Sequence, residues 1–208
     1  IFKKNKFCKL TQEAENIGAI NCIYRDNNQL IGTNTDGEAA LITINKFLNP
    51  LSKKFIVFGF GGVGKSIVAY LKKFYKDAKI IISVRNKERF KKIEKLKDLE
   101  FINWPLENFN YKNTDAIINC SILGSKNVDM NTGQKLLNEI PLKDIHLSFE
   151  SIINSINPNI LYFDAIYDPL ETKLTKLLKK RNFKCVNGLD MNLEQAVIAF
   201  NYVMHNKH

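Results

Sequence analysis

Long apolar runs and targeting signals are both missing from this 208-residue sequence. No stretch of 18 apolar residues occurs, so we expect no membrane-spanning helix. No basic segment followed by an apolar stretch and a small-residue cleavage site opens the chain, which argues against a secretory signal. The first residue is Ile rather than Met, as in a piece of a longer chain. We expect a cytoplasmic protein, and its 45% hydrophobic content suffices for a sizeable core.

Cysteine and histidine are scarce and scattered. The four cysteines lie far apart and form no CxxC pair: Cys8, Cys22, Cys120 and Cys185. This distribution favours reduced thiols in or near the core over a disulfide framework or a zinc site. The three histidines have no metal-ligand spacing, and two of them lie at the C-terminus. We therefore predict no metal site.

Acidic residues are outnumbered, with 21 Asp and Glu against 31 Lys and Arg, and the net charge is +10. The lysines form short pairs in predicted helices, as in "LKKF" and "LLKKRN", rather than one basic island. This pattern is typical of solvated helix faces, so we do not expect nucleic acid as a partner. A basic surface would also attract small anionic ligands at long range.

The first fifty residues predict two helices and a hairpin. Residues 1–17 read as a helix that Gly18 ends as a C-cap. The next segment, "AINCIYRDNNQLIG", alternates in polarity around a turn at 26–28 and predicts a β-hairpin. A second helix is expected from Asp36 to Phe47, with Thr35 or Asp36 as its N-cap. It ends before Pro50.

After Pro50, short apolar runs alternate with amphipathic segments. The runs are "FIVFG", "KIIISV", "DAIIN" and "LYFDAI". Apolar strands that alternate with helices predict βαβ units and a parallel sheet, the Rossmann-like α/β class. Helices are also expected in the Lys-rich stretch 87–97, in "LSFESIINSI" and from Asp190 to Met204, where apolar residues recur at helical spacing. The stretch "EFINWPLENFNYKN" predicts a short strand and a loop.

A glycine-rich turn lies between the first of these strands and the helix that follows it. The turn reads Gly59-Phe60-Gly61-Gly62-Val63-Gly64, the GxGxxG spacing in the context that binds a dinucleotide pyrophosphate. Glycines permit the tight turn and close backbone approach, and the helix N-terminus attracts the anion. The same residues also match the GxxxxGK[ST] loop of nucleotide triphosphatases through Lys65-Ser66. That alternative would need an acidic residue at the end of a later strand, whereas "DAIINCS" ends in Asn and Cys.

The end of the next strand predicts which dinucleotide binds. An NAD site usually places Asp or Glu there to bond the ribose 2′-hydroxyl. Here the position holds Val84, followed by Arg85 and, one turn later, Arg89. Two guanidinium groups suit a 2′-phosphate, because each can form paired hydrogen bonds with it. The sequence therefore favours NADP over NAD.

Six motifs, in order, resemble the shikimate dehydrogenase family. They are "IGAIN", "LIGTNTDG", the glycine turn, "NCS", "YDPLET" and "NGLDMNLEQAVIAF". The resemblance covers nearly the whole chain but not the family's opening substrate domain. By spacing, the family's catalytic lysine would fall just before Ile1, and neither Lys3 nor Lys4 is in register with it.

The resemblance implies a reaction and a set of site residues. The family reduces 3-dehydroshikimate to shikimate with NADPH, and a Lys–Asp pair moves the proton. The matching carboxylate is Asp36 of "NTDG", although Asp at a helix start needs no catalytic reason. The implied substrate-binding residues are Asn21, Asp36, Tyr167 and Gln195. The implied cofactor-binding residues, besides the glycine turn and the two arginines, are Asn119, Cys120, Ser121, Gly188 and Met191.

The resemblance also implies an organisation and leaves alternatives. Residues 36–187 would form the NADP-binding Rossmann-like domain, while 1–35 and 188–208 would be a remnant of the substrate domain. The active site would lie in the cleft between them. We expect a small-molecule substrate and a monomer or homodimer. The alternatives are a quinate/shikimate dehydrogenase that uses NAD and a non-catalytic NADP-binding paralogue. Two departures from the family pattern are the loop after Ser121 and Asp190, where glycine is common.

Overall fold

The computed structural model describes residues 8–104 except 92, 94, 95 and 97, residues 111–122, residue 156 and residues 159–205. Its first part holds a small sheet and one helix. In chain order these elements are β1 (Cys8–Leu10), α1 (Gln12–Ile17), β2 (Cys22–Asp26) and β3 (Gln29–Thr33). The sheet order is β1-β3-β2. Strand β2 pairs antiparallel with β3 and β1 pairs parallel with it, so the predicted hairpin is confirmed and gains a third strand.

Local chemistry explains the ends of α1 and the hairpin turn. The side chain of Thr11 accepts a hydrogen bond from the Ala14 N–H at 3.2 Å and caps α1. Gly18 ends the helix in the left-handed conformation, with φ of 71°, as predicted. Asn27 turns the hairpin with φ of 51°. The predicted helix over 1–17 is wrong at residues 8–10, because these residues pair with β3.

The second sheet has six parallel strands and confirms the predicted α/β class. They are β4 (Lys54–Phe58), β5 (Lys79–Val84), β6 (Glu100–Asn103), β7 (Ala116–Asn119), β8 (Leu161–Asp164) and β9 (Lys184–Val186). The sheet order is β6-β5-β4-β7-β8-β9. The strand order therefore reverses between β4 and β7, and such a switch point is where open α/β sheets bind ligands.

The remaining helices are α2 (Asp36–Asn45), α3 (Gly62–Phe74), α4 (Glu88–Lys91), α5 (Lys173–Lys180) and α6 (Leu189–His205). Helix α2 ends two residues before the predicted Phe47, and the predicted helix over 87–97 contains only α4 among its described residues. The terminal helix is confirmed. The helix predicted in "LSFESIINSI" lies outside the described residues, apart from Ile156. Within the described part of the chain, none of the helices has the length and hydropathy needed to cross a membrane.

Apolar side chains fill both faces of the large sheet. Phe55, Val57 and Phe163 lie in one cluster with residues of α2 and α3, and all three have 0% exposure. Ile56 and Tyr162 lie in a second cluster on the opposite face, with Leu178 of α5. Burial on both faces explains why these strands read as continuous apolar runs rather than as alternating ones.

Close packing of α2 on α3 depends on Gly37. A Cβ at Gly37 would collide with the carbonyl oxygen and the side chain of Ser66. Among the described residues, an added Cβ at Gly62 would meet only the Ala19 Cβ, at an ordinary 3.6 Å. Gly37→Ala is therefore expected to reduce the free energy of unfolding by about 1–3 kcal/mol, whereas Gly62→Ala should leave it unchanged or slightly higher. Urea unfolding of both variants measures this, and equal stabilities would contradict the packing role of Gly37.

Candidate active site

Three polar side chains from separate elements meet at the start of α2. Asn21 precedes β2, Asp36 opens α2 and Gln195 lies on α6. The Asn21 Nδ2 donates to Asp36 Oδ1 at 2.7 Å and to Gln195 Oε1 at 2.9 Å. The Thr35 N–H donates to Asn21 Oδ1 at 2.9 Å and fixes the orientation of the amide. The structure thus brings three of the four predicted substrate-binding residues together in an arrangement that can bond ring hydroxyls.

The buried side chain of Asn34 holds the start of α2 in place. Its Oδ1 accepts hydrogen bonds from the Asp36 N–H at 3.0 Å and from the Ser66 hydroxyl at 2.7 Å. Its Nδ2 donates to the carbonyl of Ala19 at 3.3 Å. Thr35 is the N-cap residue, as predicted, but its side chain makes no capping bond. Sequence reasoning missed Asn34, for which the only signal was an amide directly before the expected cap.

The environment of Asp36 suits a carboxyl that takes up and releases a proton. Its side chain is half-buried, and burial raises its pKa above the ordinary value, an effect that the hydrogen bond from Asn21 partly offsets. A carboxyl group with a raised pKa in a cleft is a candidate for acid–base chemistry.

The glycine turn has two glycines that the fold requires and two that border open space. Gly59 has φ of 91°, and an added Cβ would lie 3.1 Å from the Cys120 carbonyl oxygen. A Cβ at Gly64 would collide with the Gly59 carbonyl oxygen. At Gly61 an added Cβ would meet no atom of the described residues within 4 Å, and both Gly61 and Gly62 are exposed. The exposed N-terminus of α3 carries backbone N–H groups of the kind that can bind a phosphate anion.

Ser66 argues against the nucleotide triphosphatase alternative. In that class the Ser or Thr of the loop binds Mg²⁺ through its hydroxyl. Here Ser66 is fully buried and its hydroxyl donates to Asn34. Val63, the remaining predicted residue of the turn, is half-buried and packs against the core.

The two predicted phosphate-binding arginines lie beyond the end of β5. Val84 is buried with 7% exposure, whereas Arg85 and Arg89 are exposed. The Arg89 guanidinium lies 5.9 Å from the ring centroid of Phe90. Asn86 accepts a hydrogen bond from the Glu88 N–H at 3.0 Å and caps the turn that leads to Arg89.

Aromatic rings connect the glycine turn to α4, a contact that sequence reasoning missed. Phe60, inside the turn, packs edge-on against Phe90 with centroids 5.5 Å apart and against Phe101 at 5.1 Å. Phe90 and Phe101 stack at 4.9 Å. The three rings therefore tie the helix that carries Arg89 to the turn that would hold the pyrophosphate.

The segment Asn119–Ser121 begins at the last residue of β7 and lies directly beside the glycine turn. Asn119 is buried, and its Oδ1 accepts the Ser121 N–H at 3.0 Å and the Ser121 hydroxyl at 2.6 Å. Burial raises the pKa of the Cys120 thiol, and the nearby Asp164 carboxylate raises it further, so this thiol is protonated at neutral pH. The four cysteines are free, in agreement with the prediction of reduced thiols. No cluster of metal-ligating side chains occurs among the described residues.

Asp164, the last residue of β8, is a buried carboxylate next to the end of β7. It has 1% exposure, and burial raises its pKa, an effect that hydrogen bonds from Ile166, Thr172 and Asn119 oppose. Sequence reasoning did not single it out, because an Asp in "LYFDAI" gives no sign of which side chains it faces.

Two curated relatives and one solved structure that resemble this chain carry the name shikimate dehydrogenase. A protein of Pelagibacter ubique named shikimate dehydrogenase (NADP(+)) is 32% identical over 201 residues, which is 95% of this chain and 66% of that protein. One of Streptococcus mutans with the same name is 29% identical over 199 residues, 92% of this chain and 64% of that protein. The crystal structure of a shikimate dehydrogenase in complex with NADP+ is also similar, with a TM-score of 0.69 and 26% identity over 93% of this chain and 64% of that one.

Over 92% to 95% of its length, the chain is similar to members of the shikimate dehydrogenase family. No family profile matches the sequence. The chain spans slightly less than two thirds of the length of these two relatives, 64% and 66%. What their names state about activity and cofactor therefore enters below as a proposal for this chain.

Three further residues that the shikimate dehydrogenase resemblance assigned lie apart from the polar cluster. Tyr167 is 49% exposed, and no hydrogen bond links it to that cluster among the described residues. A Cβ at Gly188 would collide with the Ala165 carbonyl oxygen, so this glycine is explained by packing alone. Met191 has 5% exposure and lies in the core cluster. Their contacts with substrate or cofactor stay predictions.

Proposed function

We propose that this chain forms the cofactor-binding part and one wall of the active site of an NADP-dependent shikimate dehydrogenase, which reversibly reduces 3-dehydroshikimate to shikimate. The observation that carries the proposal is the meeting of Asn21, Asp36 and Gln195 beside α3. The Asn34–Ser66 hydrogen bond, at 2.7 Å, joins the segment before Asp36 to the helix that the glycine turn opens. A hydroxylated ring and a pyridine ring can thus lie against neighbouring parts of the chain.

Each group of the cluster has a distinct task in the proposed reaction. Bound NADPH supplies the hydride that reduces the ring ketone. Asp36 takes part in proton exchange at the oxygen that becomes a hydroxyl. Asn21 and Gln195 bond ring hydroxyls and orient the ring, since each amide has both donor and acceptor atoms. Exposed Arg85 and Arg89 bind the 2′-phosphate.

The proposal is tested by two measurements on purified protein. Fluorescence titration of this chain with NADPH measures cofactor binding, and an assay of the full-length gene product with 3-dehydroshikimate measures NADPH oxidation. We expect binding and turnover, respectively. Turnover of quinate with NAD in preference to shikimate with NADP would contradict the assignment. NADPH binding without any turnover would instead favour the non-catalytic paralogue.

Arg85 is expected to decide between NADP and NAD. Arg85→Ala should raise the KM for NADP by about tenfold or more, because hydrogen bonds to a charged group contribute roughly 1.5–3 kcal/mol, and should leave the KM for NAD nearly unchanged. Arg25→Ala, at an exposed position of β2, is the control for lost surface charge. Equal rises in both constants for Arg85→Ala would remove the 2′-phosphate argument.

A further inference from the structure

We propose that Asp164 is a positioning residue for the bound dinucleotide: it fixes the side-chain orientation of Asn119 and thereby the place of the Asn119–Ser121 segment against the glycine turn. The inference rests on the proposed function, because it assumes that NADP(H) binds at this turn. Asp164 touches neither substrate nor cofactor in this account and acts only through Asn119.

A side-chain hydrogen bond joins the ends of β7 and β8. Asn119 and Asp164 are the last residues of β7 and β8 and are register partners in the sheet. Both are buried, with 3% and 1% exposure. The Asn119 Nδ2 donates to Asp164 Oδ1 at 3.0 Å. The amide of Asn119 therefore presents its oxygen on the other side.

The orientation of the Asn119 amide decides which contacts it makes with Ser121. The freed Asn119 Oδ1 accepts both the backbone N–H and the hydroxyl of Ser121, at 3.0 and 2.6 Å. If the amide were reversed, its NH₂ group would face the Ser121 N–H, and two donors cannot bond each other. The folded segment thus depends on which end of Asn119 faces Asp164.

The carboxylate of Asp164 allows the Asn119 amide only one orientation. An ionised Asp only accepts, so every neighbour must turn a donor towards it. Besides Asn119, the Asp164 carboxylate accepts from the Ile166 N–H at 3.1 Å, the Thr172 hydroxyl at 3.0 Å and the Tyr162 hydroxyl at 3.3 Å. The Thr172 side chain also caps α5 by accepting the Thr175 N–H at 3.2 Å. These contacts hold the carboxylate in one place.

The Asn119–Ser121 segment lies against the glycine turn, where the cofactor is proposed to bind. A Cβ at Gly59 would lie 3.1 Å from the Cys120 carbonyl oxygen and 3.2 Å from the Ser121 nitrogen. The Cys120–Ser121 peptide therefore rests directly on the first glycine of the turn. A shift of this peptide would push the turn or open a gap beneath it, and either change would disturb the backbone that approaches the pyrophosphate.

An exchange of the two side chains tests the proposal without changing side-chain volume. Asn119→Asp would place two carboxylates face to face, and their repulsion would displace the segment, so the Kd for NADPH should rise by about tenfold or more. Adding Asp164→Asn restores one donor between the pair. The double variant should return to within about fourfold of the wild type, with the remainder due to the Ile166 N–H that loses its acceptor. Fluorescence titration with NADPH measures all three proteins.

A second pair of variants separates positioning from general stability. Asp115 accepts the N–H groups of Lys53 and Lys54 at 2.7 and 2.9 Å, just before β7 at the opposite end of the same strand. Asp164→Ala should weaken NADPH binding by about tenfold and speed hydrogen exchange of the Ser121 amide, whereas Asp115→Ala should reduce stability and keep the Kd within about twofold. If Asp164→Ala does not fold, the exchanged pair carries the test.

The outcomes distinguish the inference from the proposed function. Wild-type protein that fails to bind NADPH would overturn the proposed function. Wild-type protein that binds NADPH while Asn119→Asp binds equally well would overturn the inference alone. A loss in Asn119→Asp that Asp164→Asn does not relieve would also overturn it, because Asn119 would then contribute through its own contacts and not through its bond with Asp164.

Discussion

Asp36→Asn in the full-length protein is expected to lower kcat for shikimate oxidation by roughly 10²- to 10⁴-fold, the usual loss when a positioned acid–base group is removed. The amide keeps the shape of the side chain and can still accept the hydrogen bond from Asn21. The polar cluster of Asn21, residue 36 and Gln195 should therefore keep its structure. The Kd for NADPH should not change, because the contact proposed for Asp36 is with the substrate and not with the dinucleotide. Steady-state kinetics and a cofactor titration measure the two quantities.

The matched control is Glu38→Gln. Glu38 lies in the same first turn of α2, so this variant removes a carboxylate from the same helix end without touching the cluster. It should keep the wild-type kcat. Wild-type turnover in Asp36→Asn, or an equal loss in Glu38→Gln, would show that the carboxylate of Asp36 has no acid–base role.

Asp36→Asn should also stabilise the protein at neutral pH. Burial raises the pKa of Asp36 in the folded state, which means that the folded protein binds its proton more tightly than the unfolded chain does. Stability therefore falls as pH rises from the ordinary carboxyl pKa through the raised one. Asp36→Asn removes this ionisation, so its Tm should exceed that of the wild type at pH 7, and the difference should shrink in acid. A lower Tm at pH 7 would contradict the desolvation of Asp36.

Gly61→Asp is expected to abolish NADPH binding, with a rise in Kd of about a hundredfold or more, while the fold remains stable. The added carboxylate would enter the space assigned to the pyrophosphate and repel it. Gly61 has φ of −78°, which any residue adopts, and no described atom lies near the added Cβ. Asp also suits the N-cap of α3, so the Tm should be unchanged or higher.

Gly61→Asn is the control for this prediction. It adds nearly the same volume and the same capping ability without the charge, so its Kd should lie between those of the wild type and Gly61→Asp. A large drop in Tm for both variants would mean that the backbone, and not a ligand, requires glycine at this position. Unaltered NADPH binding in Gly61→Asp would place the pyrophosphate elsewhere.

The core of the fold could be predicted because its determinants are local. Strands buried on both faces read as apolar runs, and the glycine turn after β4 marks the start of α3 directly. Strands β1 and β9 could not be predicted in the same way. Each has only three residues, and each exists because it pairs with a distant strand, β3 or β8. Short segments of this kind carry no periodicity of their own, so long-range pairing decides them.

Some residues of the candidate site could also be identified from the sequence, and others could not. Asp36 and the glycine turn could be found from motifs, and the resemblance to shikimate dehydrogenases supplied Asn21 and Gln195. Bonds between residues far apart in sequence, such as Asn34 to Ser66 or Asn119 to Asp164, have no signature that a single sequence reveals. These buried polar contacts position the residues that motifs identify.

A crystal structure of the chain with NADP+ and shikimate would show whether the two ligands meet at Asp36. We expect the pyrophosphate on the N–H groups of Gly61 and Gly62. We also expect a substrate hydroxyl bonded to Asp36, with the nicotinamide ring facing the carbon that bears that hydroxyl. A complex in which both ligands are bound but the Asp36 carboxylate contacts neither the substrate nor a group bound to it would rule out the proposed acid–base role of Asp36.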